Sequence, residues 1–220
     1  MAANTETPLP YFVWLIHVVV GNHSFAAAFL QLHKHTKIGN AIHYAQEVFA
    51  NEGFRSAEVK TIAVQAGVGK ATIYKFFPSK DALLLTIVEE NLNTIRDIIF
   101  ADLMSTIPPL QRLENLCRSV ARYLEQNQNF SRVLIQEAGD FMGDIQRQSL
   151  VLMEQNLPVA DAFFNELRKD GYFVALPTRD TILMMVNLVV GTTYTWALTG
   201  EGSLEQQAAD YMKVLIRGLR

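Results

Sequence analysis

The chain is 220 residues long, half of them apolar and 19% charged, with a formal net charge of −3. That composition excludes a mainly disordered chain. The net charge excludes a uniformly basic nucleic-acid binder but not a locally basic one. Cys117 is the only cysteine, so an internal disulfide and a cysteine-based zinc site are excluded and a reducing cytoplasm is expected. Seven prolines and 12 glycines are too few for a many-turned sandwich or barrel, which points to helices. The charge is uneven. Residues 34–80 carry seven basic groups against three acidic, whereas residues 81–220 carry 12 basic against 18 acidic. A short basic module followed by a larger acidic body is the first pointer to function.

Residues 7–33 contain no charged side chain, and Tyr11 to Val20 is almost wholly apolar. A signal peptide needs a positive N-terminal region, and only Glu6 precedes this run. Three readings stay open for residues 1–33. They are an extension outside the mature fold, a helix docked on the body or a partner, or a membrane-associated segment interrupted at Gly21, Asn22, His23 and Ser24. His33 and His35 lack helical spacing and nearby thiols, so no metal site is expected.

From Lys37 the pattern is helical. Ile38, Ala41, Ile42, Ala45, Val48 and Phe49 recur at three and four residues and make one apolar face. Asn51, Glu52 and Gly53 stop this helix, with Gly53 as its C-terminal cap. Ser56 is expected to cap a short second helix whose Val59, Ile62 and Ala63 face inward. Gly67 ends it. Val68 and Gly69 turn the chain into a third helix at Lys70 to Phe77. Pro78 ends that one, and Ser79 caps a long fourth helix striped by Leu83, Leu84, Ile87, Val88, Leu92, Ile95 and Ile98. Further helices are predicted at about 109–126, 129–139, 145–169, 178–199 and 203–219. Ser203 and Gln206 have capping-box spacing for the last. Residues 171–176 read as a connector.

Two short helices joined by a tight turn inside a basic segment make a helix-turn-helix candidate. The stretch Gly53 to Leu84 resembles the tetracycline-repressor (TetR) family of bacterial transcriptional regulators. The resemblance rests on Gly53-Phe54, Ile62-Ala63, Ala66-Gly67-Val68, Thr72-Ile73-Tyr74, Phe77, Ser79-Lys80 and Leu84, and it spans about a quarter of the chain. Ala63 and Gly67 are expected to be small because two helices cross there, with Val68 and Ile73 filling the space between.

The resemblance implies that Lys70 and Ala71 face base edges in the major groove, where a lysine can donate to guanine O6 and N7. It places Thr72, Tyr74, Lys75 and Lys80 against phosphates, which fix register rather than sequence. Lys60 adds a further phosphate contact, and Ser56 takes over one that Thr or Ser would make where Ala57 and Glu58 stand. Gly69 and Phe76 also depart from the family pattern, which has Ser at the first position and His or Tyr at the second.

The expected fold is all-α. Residues 1–33 form the apolar extension, 34–80 a three-helix DNA-binding domain, and 81–220 a helical effector-binding and dimerisation domain. Residues 181–198 carry no charge. A helix apolar on most faces is buried in a core or between subunits, and the resemblance implies a homodimer through about 178–199 and 203–219 rather than a membrane span. Phe141, Met153, Phe164, Met185 and Tyr194 are candidates for an apolar effector pocket, because Met and aromatics suit adaptable pockets. The same residue types fill ordinary cores. Cys117 reads as a small buried apolar group. Glu89 and Glu90, adjacent on a helix, point apart and make no acid–base pair.

No phosphate-loop, nucleophile-elbow or H-E-x-x-H signature is present, so no enzyme, cofactor or metal is expected. The expected function is cytoplasmic transcriptional regulation, most simply a repressor released from a pseudo-palindromic double-stranded operator by a small apolar effector. The alternative is a membrane-associated or partner-binding helical protein that retains the fold.

Overall fold

The computed structural model describes the backbone of residues 37–136 and 142–219, with side chains over 38–136, at 154 and over 157–219. The expectations for residues 1–33, for His33 and His35, and for Phe141 lie outside the described residues, as does the side chain of Met153. Among the described residues the chain forms helices and no strand. They run α1 Lys37–Glu52, α2 Val59–Gln65, α3 Lys70–Phe76, α4 Lys80–Leu103, α5 Pro109–Gln126, α6 Gln128–Gln136, α7 Met142–Lys169, α8 Thr178–Thr199 and α9 Leu204–Gly218.

The predicted stop signals act as local chemistry requires. Gly53 sits at φ +75° and its N–H bonds to the Phe49 carbonyl at 3.0 Å. The Ser79 hydroxyl accepts from the Ala82 N–H at 3.0 Å and starts α4. Ser203 does the same for α9 from Gln206 at 3.3 Å. Only half of that capping box forms, because the Gln206 side chain turns forward to Asp210 at 2.8 Å. A carboxylate from another helix adds a second cap. One Glu125 oxygen on α5 accepts from the Ser203 hydroxyl and the Glu205 N–H, both at 3.0 Å.

One predicted cap is wrong. Ser56 is exposed in the turn before α2, which begins at Val59 with Glu58 as its capping residue and no side-chain cap. Ala57 is buried between the two, so the helix start is displaced beyond the reach of the Ser56 hydroxyl. Helix α6 ends at Gln136 and α7 starts at Met142, each a few residues from its expected bound.

Two apolar cores hold the chain. The first joins Ile42, Val48, Phe49, Ile62, Ile73 and Phe77 to Leu83, Leu84 and Ile87 of α4, Leu124 of α5, and Phe130 and Val133 of α6. The second gathers Leu113 and Cys117 of α5, Phe163, Phe164 and Leu167 of α7, Phe173, Met185 of α8, and Met212 and Ile216 of α9. Helices α5, α8 and α9 thread both. The head formed by α1 to α3 therefore shares its apolar core with α4, α5 and α6. Burial pushes the Cys117 thiol up to about 12, which leaves it inert at neutral pH.

Arg112 closes the turn between α4 and α5. It donates to the Leu103 and Ile107 carbonyls, pairs with Glu166 at 2.8 Å and lies 5.4 Å from the Phe163 ring centre. Phe173 is fixed in the connector at φ +56°, an unusual value for a bulky residue. Its N–H bonds to the Leu219 carbonyl at 2.9 Å and its ring meets Phe164 edge-on.

Helix α8 is long and apolar enough to cross a bilayer by length and composition. It nevertheless turns Thr178, Thr181, Met185, Thr192, Thr193 and Trp196 inward. The hydroxyls of Thr181, Thr192 and Thr193 donate to carbonyls four residues back, Thr192 to Leu188 at 2.6 Å and Thr193 to Val189 at 2.8 Å, which satisfies them when buried. Thr178 instead accepts from Arg168 at 2.9 Å. The opposite face presents Val186, Val190, Tyr194 and Leu198, spaced by four residues and all exposed. The single chain thus leaves one apolar face of α8 outward, as a helix expected to be buried either in a core or between subunits can.

Candidate nucleic-acid interface

Helices α2 and α3 pack through a glycine turn. Gly67 has φ +66°, its N–H bonds to the Val64 carbonyl at 3.1 Å, and the Val68 N–H bonds to the Ala63 carbonyl at 2.9 Å. These two bonds close the end of α2 by the left-handed glycine route. A Cβ at Gly67 would meet nothing within 4 Å. Gly67 is therefore required for its backbone conformation and not, as the sequence suggested, for close helix crossing. Ala63, by contrast, is buried, with Ile73 and half-buried Val68 packed beside it.

Burying Ile73 and Phe77 turns the rest of α3 outward. Lys70, Ala71, Thr72, Tyr74 and Lys75 are all exposed. The Lys70 ammonium lies 5.7 Å from the centre of the Tyr74 ring one turn on, so the two form one cationic and aromatic edge. Lys60 of α2 and Ser56 are exposed as well. Glu58, at the start of α2, is exposed and brings one negative charge to the same end of the head.

Lys80 departs from its expected role. Its ammonium donates to the carbonyls of Phe54 at 2.6 Å, Arg55 at 3.0 Å and Ala57 at 3.1 Å, and lies 4.6 Å from the Phe54 ring centre. An ammonium has three N–H donors, and all three are engaged. Lys80 ties the start of α4 to the turn between α1 and α2, and is not a free phosphate contact.

Helix α4 carries a second ionisable group of note. Glu89 is half-buried and makes no hydrogen bond or ion pair among the described residues. Desolvation pushes its carboxyl up to about 7 from an ordinary 4.5. The folded protein thus binds this proton more tightly than the unfolded chain. The resulting stability is fully present below about pH 4.5 and is lost as pH rises through 7. Glu89→Gln, which cannot ionise, is expected to match the parent near pH 4 and to exceed it at pH 8 by on the order of 2 kcal/mol in urea unfolding. An equal difference at both pH values would contradict this reading.

In the body, Phe164 and Met185 meet in the second core, where Phe163, Phe164 and Phe173 stack edge to face at 5.5 and 5.7 Å. Tyr194 does not join them. It is 51% exposed on the outer face of α8, because the inward positions of that turn are taken by Thr192, Thr193 and Trp196.

Comparison with known proteins agrees with this geometry. Residues 41–87 match the model described as bacterial regulatory proteins, tetR family, and residues 106–219 match the tetracyclin repressor-like C-terminal domain. The chain belongs to the tetR family and is a DNA-binding transcriptional regulator, not an enzyme. It is 23% identical over 171 residues to the transcriptional activator FasR of Mycolicibacterium smegmatis, covering 78% of this chain and 76% of that one. The fold resembles the fatty acid degradation regulator FadR from Bacillus halodurans, with a TM-score of 0.73, 22% identity, and 84% of this chain and 97% of that one covered. It also resembles FadR from Bacillus subtilis in complex with stearoyl-CoA, with a TM-score of 0.70, 22% identity, and 83% and 99% coverage.

Proposed function

We propose that the chain is a cytoplasmic homodimeric repressor whose two α3 helices read a pseudo-palindromic operator. The exposed edge of α3, with Lys70, Ala71, Thr72, Tyr74 and Lys75 side by side, is the observation that carries this reading. Lys70 and Ala71 lie at the start of α3, where a recognition helix meets base edges. Thr72, Tyr74, Lys75, Lys60 and Ser56 surround them at positions suited to phosphate. The exposed apolar stripe of α8 and the exposed Tyr211 and Val214 of α9 are the surfaces on which a second copy packs. Two-fold symmetry then sets the recognition helices about 34–36 Å apart, one turn of DNA.

The effector has an apolar part that binds in the body around the second core. Phe164 and Met185 support this, being adaptable apolar side chains at the meeting of α7 and α8. The likeness to a regulator solved with stearoyl-CoA favours a long-chain acyl thioester. Such a ligand releases the operator only if it binds the released state more tightly than the DNA-bound state.

Selection of binding sites from random DNA, followed by gel shift with stearoyl-CoA, tests both halves. A palindromic site released by stearoyl-CoA is expected, and a site untouched by acyl thioesters of any length would overturn the effector assignment. Within that assay, Lys70→Ala is expected to cost about 1–3 kcal/mol and to relax preference at one base pair. Lys75→Ala should weaken all sequences alike and lower the salt slope by about one. Identical behaviour of the two variants would refute the division between base and phosphate contacts.

A further inference from the structure

At the junction of head and body an amide is buried among the apolar side chains of the first core. Asn91, midway along α4, is 6% exposed and lies among Ile87, Val88 and Leu92 on its own helix. Its amide nitrogen donates to the Gln46 side-chain oxygen on α1 at 3.3 Å and to the Ile87 carbonyl at 2.7 Å. Its amide oxygen accepts from the Tyr123 hydroxyl on α5 at 2.8 Å. The Ile87 carbonyl can only accept, so the amide group facing it is the NH2, which sets this orientation. Burial raises the Tyr123 phenol above its ordinary value, so it remains a donor throughout the neutral range.

We propose that Asn91 is a positioning residue for operator recognition, its amide fixing the angle between head and body by bridging Gln46 and Tyr123. Apolar contacts across the junction are non-directional and tolerate small rotations. Hydrogen bonds weaken steeply when tilted, so the 2.8 Å bond from Tyr123 and the 3.3 Å bond to Gln46 together favour one angle among those the apolar core permits. The body end of the bridge is itself tied to α9. Beside Tyr123, Arg122 holds Glu205 through two bonds of 2.8 Å, and Glu125 caps the start of α9. A polar path thus runs from α9, through the end of α5 and Asn91, to α1 of the head. A change in how α9 sits would reach α1 of the head along these bonds.

This inference rests on the functional reading above, and two measurements separate their fates. The first compares the selected operator with one lengthened by a base pair at its centre. The parent is expected to bind the longer site about 100-fold more weakly. Tyr123→Phe and Gln46→Met, which keep shape and remove one hydrogen-bonding group each, should narrow that ratio to about tenfold. The double variant should go no further than either single change, because one bridge is broken in each. A merely structural role would lower the melting temperature and leave the ratio as in the parent, which would overturn the proposal. The second uses no DNA. Fluorophores at Lys75→Cys and Lys169→Cys report the head–body distance, which should be narrowly distributed in the parent and broad in Tyr123→Phe. Equal widths would refute the bridge, whereas broadening in Tyr123→Phe together with a parent that selects no operator would overturn only the functional reading.

Discussion

Val190→Asp is expected to yield a folded monomer that binds the operator about 100-fold or more weakly than the parent. Val190 stands at the centre of the outer stripe of α8, between Val186 and Tyr194, and is 46% exposed in the single chain. An aspartate is therefore hydrated and tolerated in the free subunit. In a two-fold interface it would be desolvated and set close to its own copy, and such like-charge juxtaposition costs several kcal/mol. The monomer would keep its head but lose the second half-site, and with it most of the affinity. Light scattering after size exclusion, circular dichroism and gel shift together read this outcome. A variant that remains dimeric and binds normally would move the interface away from α8.

Lys80→Ala is expected to lower stability by about 2–3 kcal/mol, the scale of hydrogen bonds made by a charged donor. Its three carbonyl partners lie in the turn between α1 and α2. Two of those bonds are partly buried, so water replaces the ammonium poorly. For a chain of this size the melting temperature should fall by roughly 4–12 °C. The salt dependence of DNA binding should stay unchanged, because no phosphate contact is lost. Lys75→Ala should show the reverse, with melting preserved and the slope reduced. A reduced slope and unchanged melting for Lys80→Ala would restore the phosphate role that the sequence pattern suggested.

The contrast between these two lysines marks how far the sequence can be read. Positions governed by neighbours in the chain were legible. Ser79 caps α4, Gly53 and Gly67 end their helices, and Ile73 turns inward, because each depends on residues within one or two turns. The basic face of α3 follows from the same local periodicity. Lys80 was misread because its partners lie 23 to 26 residues away. Only the packed head brings them to it. Ser56 failed as a cap because burial of Ala57, a tertiary demand, displaced the start of α2.

The outward placement of Tyr194 was illegible for another reason. Residues 181–198 are uncharged and apolar on most faces, so periodicity could not say which face points inward. The threonines chose the core by bonding to their own helix. Asn91 was passed over because a lone amide in an apolar stripe reads as a minor interruption. Its partners on α1 and α5 lie 45 and 32 residues away. Its one signal was a polar residue where the stripe of α4 calls for an apolar one.

The most direct measurement is the affinity of the purified chain for its selected operator and for a scrambled duplex of equal composition, across a salt series. The selected site should bind about 10³-fold or more tightly at physiological salt. Both affinities should fall linearly in log–log form as salt rises. Equal affinity for the two duplexes at every salt concentration would contradict the claim that α3 reads DNA.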